Sequence, residues 1–129
     1  ERLDLSGYKI LIAEDEPVNF EYLRIILSNY NAEIIWAKNG AEVIEKIPQH
    51  KPEIILMDIK MPVMDGIETT KIIKSMYPDL IVVAQTAYSA NDEEIFAKEA
   101  GCDYFITKPI RKEILLNILS KVKNALKAK

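Results

Sequence analysis

ILMDIKMPVMDG, residues 55–66, joins an apolar run to what the pattern predicts is the start of a helix. Asp58 closes the run, and Asp65 precedes Gly66 with capping-box spacing to Glu68. Helix capping therefore explains Asp65. It does not explain Asp58, because a carboxylate at the end of a buried strand is costly unless other groups meet it there. The remaining strand ends decide whether such groups exist.

The apolar runs of the chain predict the architecture around Asp58. They are continuous rather than alternating, as in strands buried on both faces of a parallel sheet, and they fall at residues 8–13, 33–37, 53–57, 80–84 and 104–106. Helical patterns follow each of them. Strand and helix thus alternate five times, which predicts a doubly wound α/β domain with right-handed crossovers.

Local signals predict where the helices begin and which face the last one buries. Pro17 suits a first helical position, Asn39 has capping-box spacing to Glu42, and Ser89 precedes an acidic first turn. In the last helix an apolar residue recurs at every fourth position: Ile110, Ile114, Ile118, Val122 and Leu126. We expect this stripe to pack on the sheet.

Size and composition limit the classes of function. The 129 residues, 49% apolar and 29% charged, predict one globular domain over residues 8–126, with a polar lead-in at 1–7 and a tail at 127–129. A formal net charge of −3 argues against direct nucleic-acid binding. Cys102 is the single cysteine, which excludes an internal disulfide. No apolar stretch has membrane-spanning length, so we expect a cytoplasmic domain without membrane contact, even if a parent protein is membrane-anchored.

Polar side chains stand at the ends of four of the five predicted strands. Glu14 and Asp15 follow the first strand, Asp58 closes the third, Thr86 follows the fourth and Lys108 the fifth. These ends share one edge of a parallel sheet, where open α/β sheets bind ligands. Crowded carboxylates repel one another, and a hard divalent cation such as Mg²⁺ relieves the repulsion. Beside an ammonium and a hydroxyl, such a cation forms a clamp for phosphoryl oxygens, and one carboxylate is left as the nucleophile.

These residues lie in motifs that resemble the receiver domains of two-component signalling, along nearly the whole chain from Tyr8 to Leu126. The motifs are LIAEDEPVN (11–19), ILMDIKMPVMDG (55–66), AQTAYS (84–89) and YFITKPI (104–110). The resemblance implies a flavodoxin-like fold with strand order 2-1-3-4-5. It also implies Mg²⁺ as the cofactor, for which Mn²⁺ can substitute, and a sensor histidine kinase or histidine phosphotransfer domain as the phosphoryl donor.

The resemblance gives the acidic positions distinct roles. Asp58 is implied as the phosphoacceptor and also as a metal ligand, Asp15 as a direct metal ligand, and Glu14 as the second acid, acting directly or through water. The backbone carbonyl of Lys60 is implied as a further ligand. The bulky side chains of Lys60 and Tyr88 are also expected to slow loss of the phosphoryl group.

Three further positions are implied to respond to the phosphoryl group. The hydroxyl of Thr86 and the ammonium of Lys108 would bind it, and Phe105 matches the switch aromatic. The resemblance also leads us to expect a cis peptide bond between Lys108 and Pro109.

The segment EDEPVN (14–19) resembles receivers of hybrid sensor kinases, which makes that origin the favoured interpretation. An output protein would then bind the face formed by the fourth helix, fifth strand and fifth helix. A stand-alone response regulator, or a receiver cut from one with an output domain, is the alternative. A Mg²⁺-dependent phosphatase with an aspartyl nucleophile is disfavoured, because a lysine, Lys60, stands where that chemistry wants a general acid. The domain would catalyse its own phosphorylation and dephosphorylation without turning over a separate substrate.

Overall fold

The computed structural model describes residues 2–87 and 91–128. Strands and helices alternate along it: β1 Lys9–Ala13, α1 Pro17–Ser28, β2 Glu33–Ala37, α2 Gly40–His50, β3 Ile54–Asp58, α3 Gly66–Met76, β4 Ile81–Ala87, α4 Asn91–Ala100, β5 Tyr104–Lys108 and α5 Lys112–Lys127. The five strands are parallel and lie in the order β2-β1-β3-β4-β5. The predicted flavodoxin-like fold and its strand order are confirmed.

Helices cover the sheet on both faces, which is why its strands are apolar at consecutive positions. On one face, side chains such as Ile12 and Leu56 pack with α1 and α5. On the other face, Leu11 and Met57 pack with α2 and α3. These four side chains are at most 1% exposed. Burial on both faces fixes the register of the strands, and with it the position of every residue at the strand ends.

Three helices begin where the sequence predicts. Pro17 occupies the first turn of α1. The side chain of Asn39 accepts a hydrogen bond from the amide of Glu42 at 2.9 Å, and that of Asp65 accepts one from the amide of Glu68 at 2.8 Å. These caps satisfy amides that a helix leaves unpaired at its start.

The predicted buried face of the last helix is wrong in part. Leu115, Leu119 and Val122 are buried, whereas Ile114 of the predicted stripe is 44% exposed. A strict four-residue repeat drifts around a helix of 3.6 residues per turn, so the face that meets the sheet takes spacings of four and three. No described helix, including the 16-residue α5, is both long and apolar enough to cross a membrane.

The strand ends lie close to their predicted positions. Asp58 and Lys108 are the last residues of β3 and β5, and Thr86 lies inside β4 rather than after it. The predicted helix start at Ser89 and the predicted role of Tyr88 fall outside the described residues.

Candidate functional site

Three carboxylates meet at the ends of β1 and β3. Each of Glu14, Asp15 and Asp58 offers an oxygen, and these oxygens lie within 4.8 Å of one another. They converge because β1 and β3 are neighbours in the sheet, with Ala13 paired to Met57 just before the acids. The structure thus brings together the three acids that the sequence singled out.

The ammonium of Lys108 faces this acidic cluster. Nζ of Lys108 donates to Oδ1 of Asp58 at 2.9 Å and lies 4.0 Å from Oε1 of Glu14. Lys108 ends β5, two strands away from β3, and its long side chain spans the gap. The Lys108–Pro109 peptide bond is cis, as expected. Among the described residues, one positive charge therefore pairs with the three carboxylates, which leaves the cluster with excess negative charge.

The pKa of Glu14 reflects both its burial and this excess negative charge. Glu14 is 1% exposed, and burial together with the negative charge of Asp58 raises its pKa from 4.5 to about 7. Its Oε2 accepts from the amide of Glu16 at 3.2 Å, but its Oε1 has no hydrogen-bond partner among the described residues. A buried carboxylate oxygen that accepts no hydrogen bond is what a hard cation with oxygen ligands would satisfy. The residues present fit a divalent cation.

Trp36 fixes the backbone of Glu14 from β2. Its indole Nε1 donates to the carbonyl oxygen of Glu14 at 2.8 Å, and its ring stacks on Phe20 of α1 with centroids 4.3 Å apart. The amide of Glu14 in turn donates to the carbonyl of Ala37 at 2.9 Å. Trp36 lies in the apolar run at residues 33–37, which by itself indicates only packing. The signal for more was the indole N–H, which needs an acceptor when it is partly buried.

The loop after β3 contacts the side chain of Asp58. The amide of Lys60 donates to Oδ1 of Asp58 at 3.3 Å, and the amide of Gly66 donates to the carbonyl of Ile59 at 2.8 Å. The Lys60 side chain is exposed, and its Nζ lies 3.5 Å from Oε2 of Glu93. The main-chain carbonyl of Lys60 is the predicted metal ligand. It therefore belongs to a loop that is hydrogen-bonded to Asp58, the phosphoacceptor candidate.

Thr86 and Phe105 lie deeper in the fold. Thr86 is buried in β4, next to Gln85, which pairs with Asp58 in the sheet register. Phe105 is half-buried in β5, paired with Ala84, and packs against the core between the sheet and α2 and α3. Thr86 thus lies on the strand next to β3, and Phe105 lies one strand further from Asp58.

Sequence reasoning missed two buried polar residues near the site. Gln85 is 1% exposed, and neither its amide oxygen nor its amide nitrogen has a hydrogen-bond partner among the described residues. Glu93 is buried in the first turn of α4, and its Oε1 accepts from the amide of Ala87 at 2.9 Å. No sequence signal marks Glu93 as part of the site, because an acid in a first turn is normally a solvated partner of the helix dipole.

Two pockets open onto the acidic cluster. One, of about 710 Å³, is lined by Glu14, Gln85 and Lys108 and by apolar residues of α1. The other, of about 620 Å³, is lined by Asp15, Lys60 and Glu93. The second places a carboxylate of the acidic cluster, a lysine and a further acid around one opening.

Comparison with known proteins identifies relatives that cover most of the chain. Residues 10–120 match the response regulator receiver domain family. The chain is 33% identical over 103 residues to the polar-differentiation response regulator DivK of Brucella anthropi, covering 78% of this chain and 84% of DivK. It is 35% identical over 111 residues to the autoinducer 2 sensor kinase/phosphatase LuxQ of Vibrio parahaemolyticus, covering 85% of this chain but 13% of LuxQ.

Solved structures agree with these relatives. The signal receiver domain of a signal transduction histidine kinase from Syntrophus aciditrophicus superposes with a TM-score of 0.87 at 30% identity, covering 95% of each chain. A receiver domain in a complex is also similar: that of the Saccharomyces cerevisiae response regulator Ssk1, crystallised with the histidine phosphotransfer protein Ypd1, has a TM-score of 0.82 at 27% identity and covers 88% of this chain and 86% of that one.

Proposed function

This chain belongs to the response regulator receiver domains of two-component signalling, and we propose that it accepts a phosphoryl group on the side chain of Asp58. One observation carries the proposal. The buried carboxylate of Asp58 lies within 4.8 Å of the acids Glu14 and Asp15 and 2.9 Å from the ammonium of Lys108. A nucleophile beside both a cation-binding cluster and an ammonium suits phosphoryl transfer.

The proposed donor is a phosphohistidine. An oxygen of Asp58 attacks phosphorus in line, the new P–O bond forms, and the P–N bond breaks. The imidazole leaves with the electron pair of that bond and takes a proton from solvent. Lys108 and the hydroxyl of Thr86 hold phosphoryl oxygens, which neutralises charge in the transition state.

The acidic cluster is proposed to bind Mg²⁺, for which Mn²⁺ can substitute. Glu14, Asp15, Asp58 and the main-chain carbonyl of Lys60 would hold the ion. When bound, it would neutralise the negative charge of the phosphoryl oxygens and of the carboxylates. Burial and the negative charge of Asp58 raise the pKa of Glu14, and the clustering of three carboxylates that this reflects supports the assignment.

Phosphorylation is proposed to shift the domain between two conformations. A phosphoryl group on Asp58 adds charge and acceptor oxygens that attract Thr86 and Lys108. Movement of Thr86 toward it vacates space that Phe105 fills, which reshapes the face formed by α4, β5 and α5, where an output protein binds. The phosphoryl group can shift the equilibrium between the two conformations only by the difference in the free energy of its contacts in each of them.

The partner is proposed to be a sensor histidine kinase or a histidine phosphotransfer domain, met in the cytoplasm. The complex of Ssk1 with Ypd1 supports this class of partner. We favour the receiver of a hybrid histidine kinase as its origin, supported by LuxQ and by the Syntrophus histidine kinase receiver. DivK, of which the alignment covers 84%, supports the stand-alone alternative.

Intact-mass spectrometry tests the proposal. After incubation with acetyl phosphate and Mg²⁺, the protein should gain the mass of one phosphoryl group, and Asp58→Asn should gain none. Omission of Mg²⁺ should abolish the gain in the wild type. A gain that persists in Asp58→Asn would disprove the assignment of Asp58, and steady turnover of a generic phosphoester would indicate a phosphatase instead.

A further inference from the structure

Glu93 is turned inward at the start of α4. It belongs to the acidic first turn of that helix, yet it is buried, whereas its neighbours Asp92 and Glu94 are exposed. Its Oε1 accepts a hydrogen bond from the amide of Ala87 at 2.9 Å. Ala87 is the last residue of β4 and directly follows Thr86. The carboxylate therefore holds the end of the strand that carries the proposed phosphoryl-binding hydroxyl.

The other carboxylate oxygen of Glu93 lies near the loop after β3. Oε2 lies 3.5 Å from Nζ of Lys60, and it has no hydrogen-bond partner among the described residues. Lys60 is itself tied to the phosphoacceptor candidate, because its amide donates to Oδ1 of Asp58 at 3.3 Å. The carboxylate of Glu93 thus contacts two segments that flank Asp58: the loop after β3 and the end of β4.

The groups that hold Glu93 are the kinds of group that bind phosphoryl oxygens. A main-chain N–H at a strand end and a lysine ammonium both donate hydrogen bonds to anions. Each forms its strongest hydrogen bonds with charged acceptors. Glu93 also shares a pocket of about 620 Å³ with Asp15 and Lys60. A second anion that enters this pocket meets a negative charge already in place.

We propose that Glu93 acts as an internal anion that occupies the amide of Ala87 and the ammonium of Lys60 until a phosphoryl group on Asp58 competes for them. The inference rests on the proposed function of Asp58. Glu93 is then a positioning residue: it holds the end of β4 in the unphosphorylated arrangement and opposes the entry of a phosphoryl group. Its removal should favour the phosphorylated arrangement even though a contact of the folded chain is lost.

The test compares two glutamates of the same helix. Glu93→Gln removes the charge but keeps an oxygen that can accept from Ala87, whereas Glu93→Ala removes both. Glu94→Gln is the matched control, because Glu94 is exposed, and its replacement changes the net charge by the same amount. The affinity for beryllofluoride, a mimic of the phosphoryl group, and the rate of phosphorylation by acetyl phosphate are measured in Mg²⁺ for all variants.

Glu93→Gln should bind beryllofluoride about three- to tenfold more tightly than the wild type, and Glu93→Ala at least as tightly, because a charge-assisted competitor is lost. Glu94→Gln should stay within about twofold of the wild type, because an exposed charge is screened. A purely structural Glu93 would lower the melting temperature without raising the affinity. Equal effects of Glu93→Gln and Glu94→Gln, or a weaker affinity in Glu93→Gln, would overturn the inference. A wild type that gains no phosphoryl group on Asp58 would instead reject the proposed function on which it rests.

Discussion

Gly66 packs against the backbone of Asp58 so closely that a β-carbon on Gly66 would lie 2.3 Å from the carbonyl oxygen of Asp58. The next nearest atom, Cα of Ile59, would lie at 2.8 Å. Both are main-chain atoms of the segment that carries the phosphoacceptor candidate. A side chain at residue 66 therefore cannot be accommodated without moving Asp58.

Gly66→Ala should lower the free energy of unfolding by about 2 kcal/mol or more, because overpacking against the main chain forces the backbone to shift. Phosphorylation by acetyl phosphate should slow as Asp58 moves. Denaturant unfolding and intact-mass spectrometry measure the two effects.

Gly7→Ala is the control for the loss of a glycine. Gly7 has φ +86°, but nothing lies within 4 Å of a β-carbon there, so the substitution should cost only about 1 kcal/mol of backbone strain. Phosphorylation should not change. A Gly66→Ala variant as stable and as reactive as the wild type would show that the close approach is not a constraint.

Val63 should be a point at which the protein can be stabilised. It has φ +70° and lies at the centre of a three-residue turn, in which the amide of Met64 donates to the carbonyl of Pro62 at 2.7 Å. A β-branched residue is strained in this conformation, and at 81% exposure Val63 gains little from burial in return.

Val63→Gly should therefore raise the free energy of unfolding by about 1 kcal/mol, since relief of the strain exceeds the extra entropy lost by glycine. The melting temperature should rise by about 3–5 °C. Val63→Ala keeps a β-carbon and should recover less than glycine. A loss of stability in Val63→Gly would mean that the valine side chain makes a stabilising contact.

The stability of the metal-free protein should depend on Glu14. Its pKa is raised from 4.5 to about 7 in the folded state, so between these values the folded protein binds a proton that the unfolded chain releases. The stabilisation is complete below pH 4.5 and is lost as the pH rises through about 7. The loss is at most about 3 kcal/mol.

Unfolding in the presence of a chelator, at pH 5 and at pH 8, measures this effect in the wild type and in Glu14→Gln. The wild type should lose stability relative to the variant as the pH rises. Addition of Mg²⁺ at pH 8 should stabilise the wild type more than Glu14→Gln, because the cation binds the folded state through the carboxylates. Identical pH profiles of the two proteins in chelator would contradict the prediction.

Cys102 should be inert in the folded protein. Burial raises the pKa of its thiol from 9.0 to about 11, and its Sγ lies 3.7 Å from Oγ1 of Thr70. At pH 8 a shift of this size leaves about a hundredfold less thiolate than in an ordinary cysteine, and access is blocked as well.

Alkylation by iodoacetamide, followed by mass spectrometry, measures this reactivity. The native protein should react at least about a hundredfold more slowly than the protein in urea. Rapid labelling under native conditions would show that the region around Cys102 opens readily.

Much of this fold could be predicted from the sequence because its signals are local. The apolar runs of the strands and the caps at Asn39 and Asp65 depend on neighbours within a few residues. The buried face of α5 could not be fixed as well, because Ile114 and Leu115 are both apolar, and only packing on the sheet decides between them.

The residues of the candidate site were likewise predictable only in part. Glu14, Asp15, Asp58 and Lys108 were predictable as neighbours, because strand ends of a parallel sheet meet at one edge. The contact of Glu93 with the end of β4 was not. It depends on how the start of α4 turns against the sheet, which no spacing of residues encodes.

The stacked indole on β2 gives the protein a built-in optical reporter. Trp36 is the one tryptophan of the chain, and its N–H is bonded to the carbonyl oxygen of Glu14. The emission of a tryptophan depends on the electric field and the hydrogen bonding around its ring. Neutralising the charge of the neighbouring acids should therefore change the fluorescence of the unlabelled protein, so that a simple titration in a cuvette can follow occupancy of the acidic cluster.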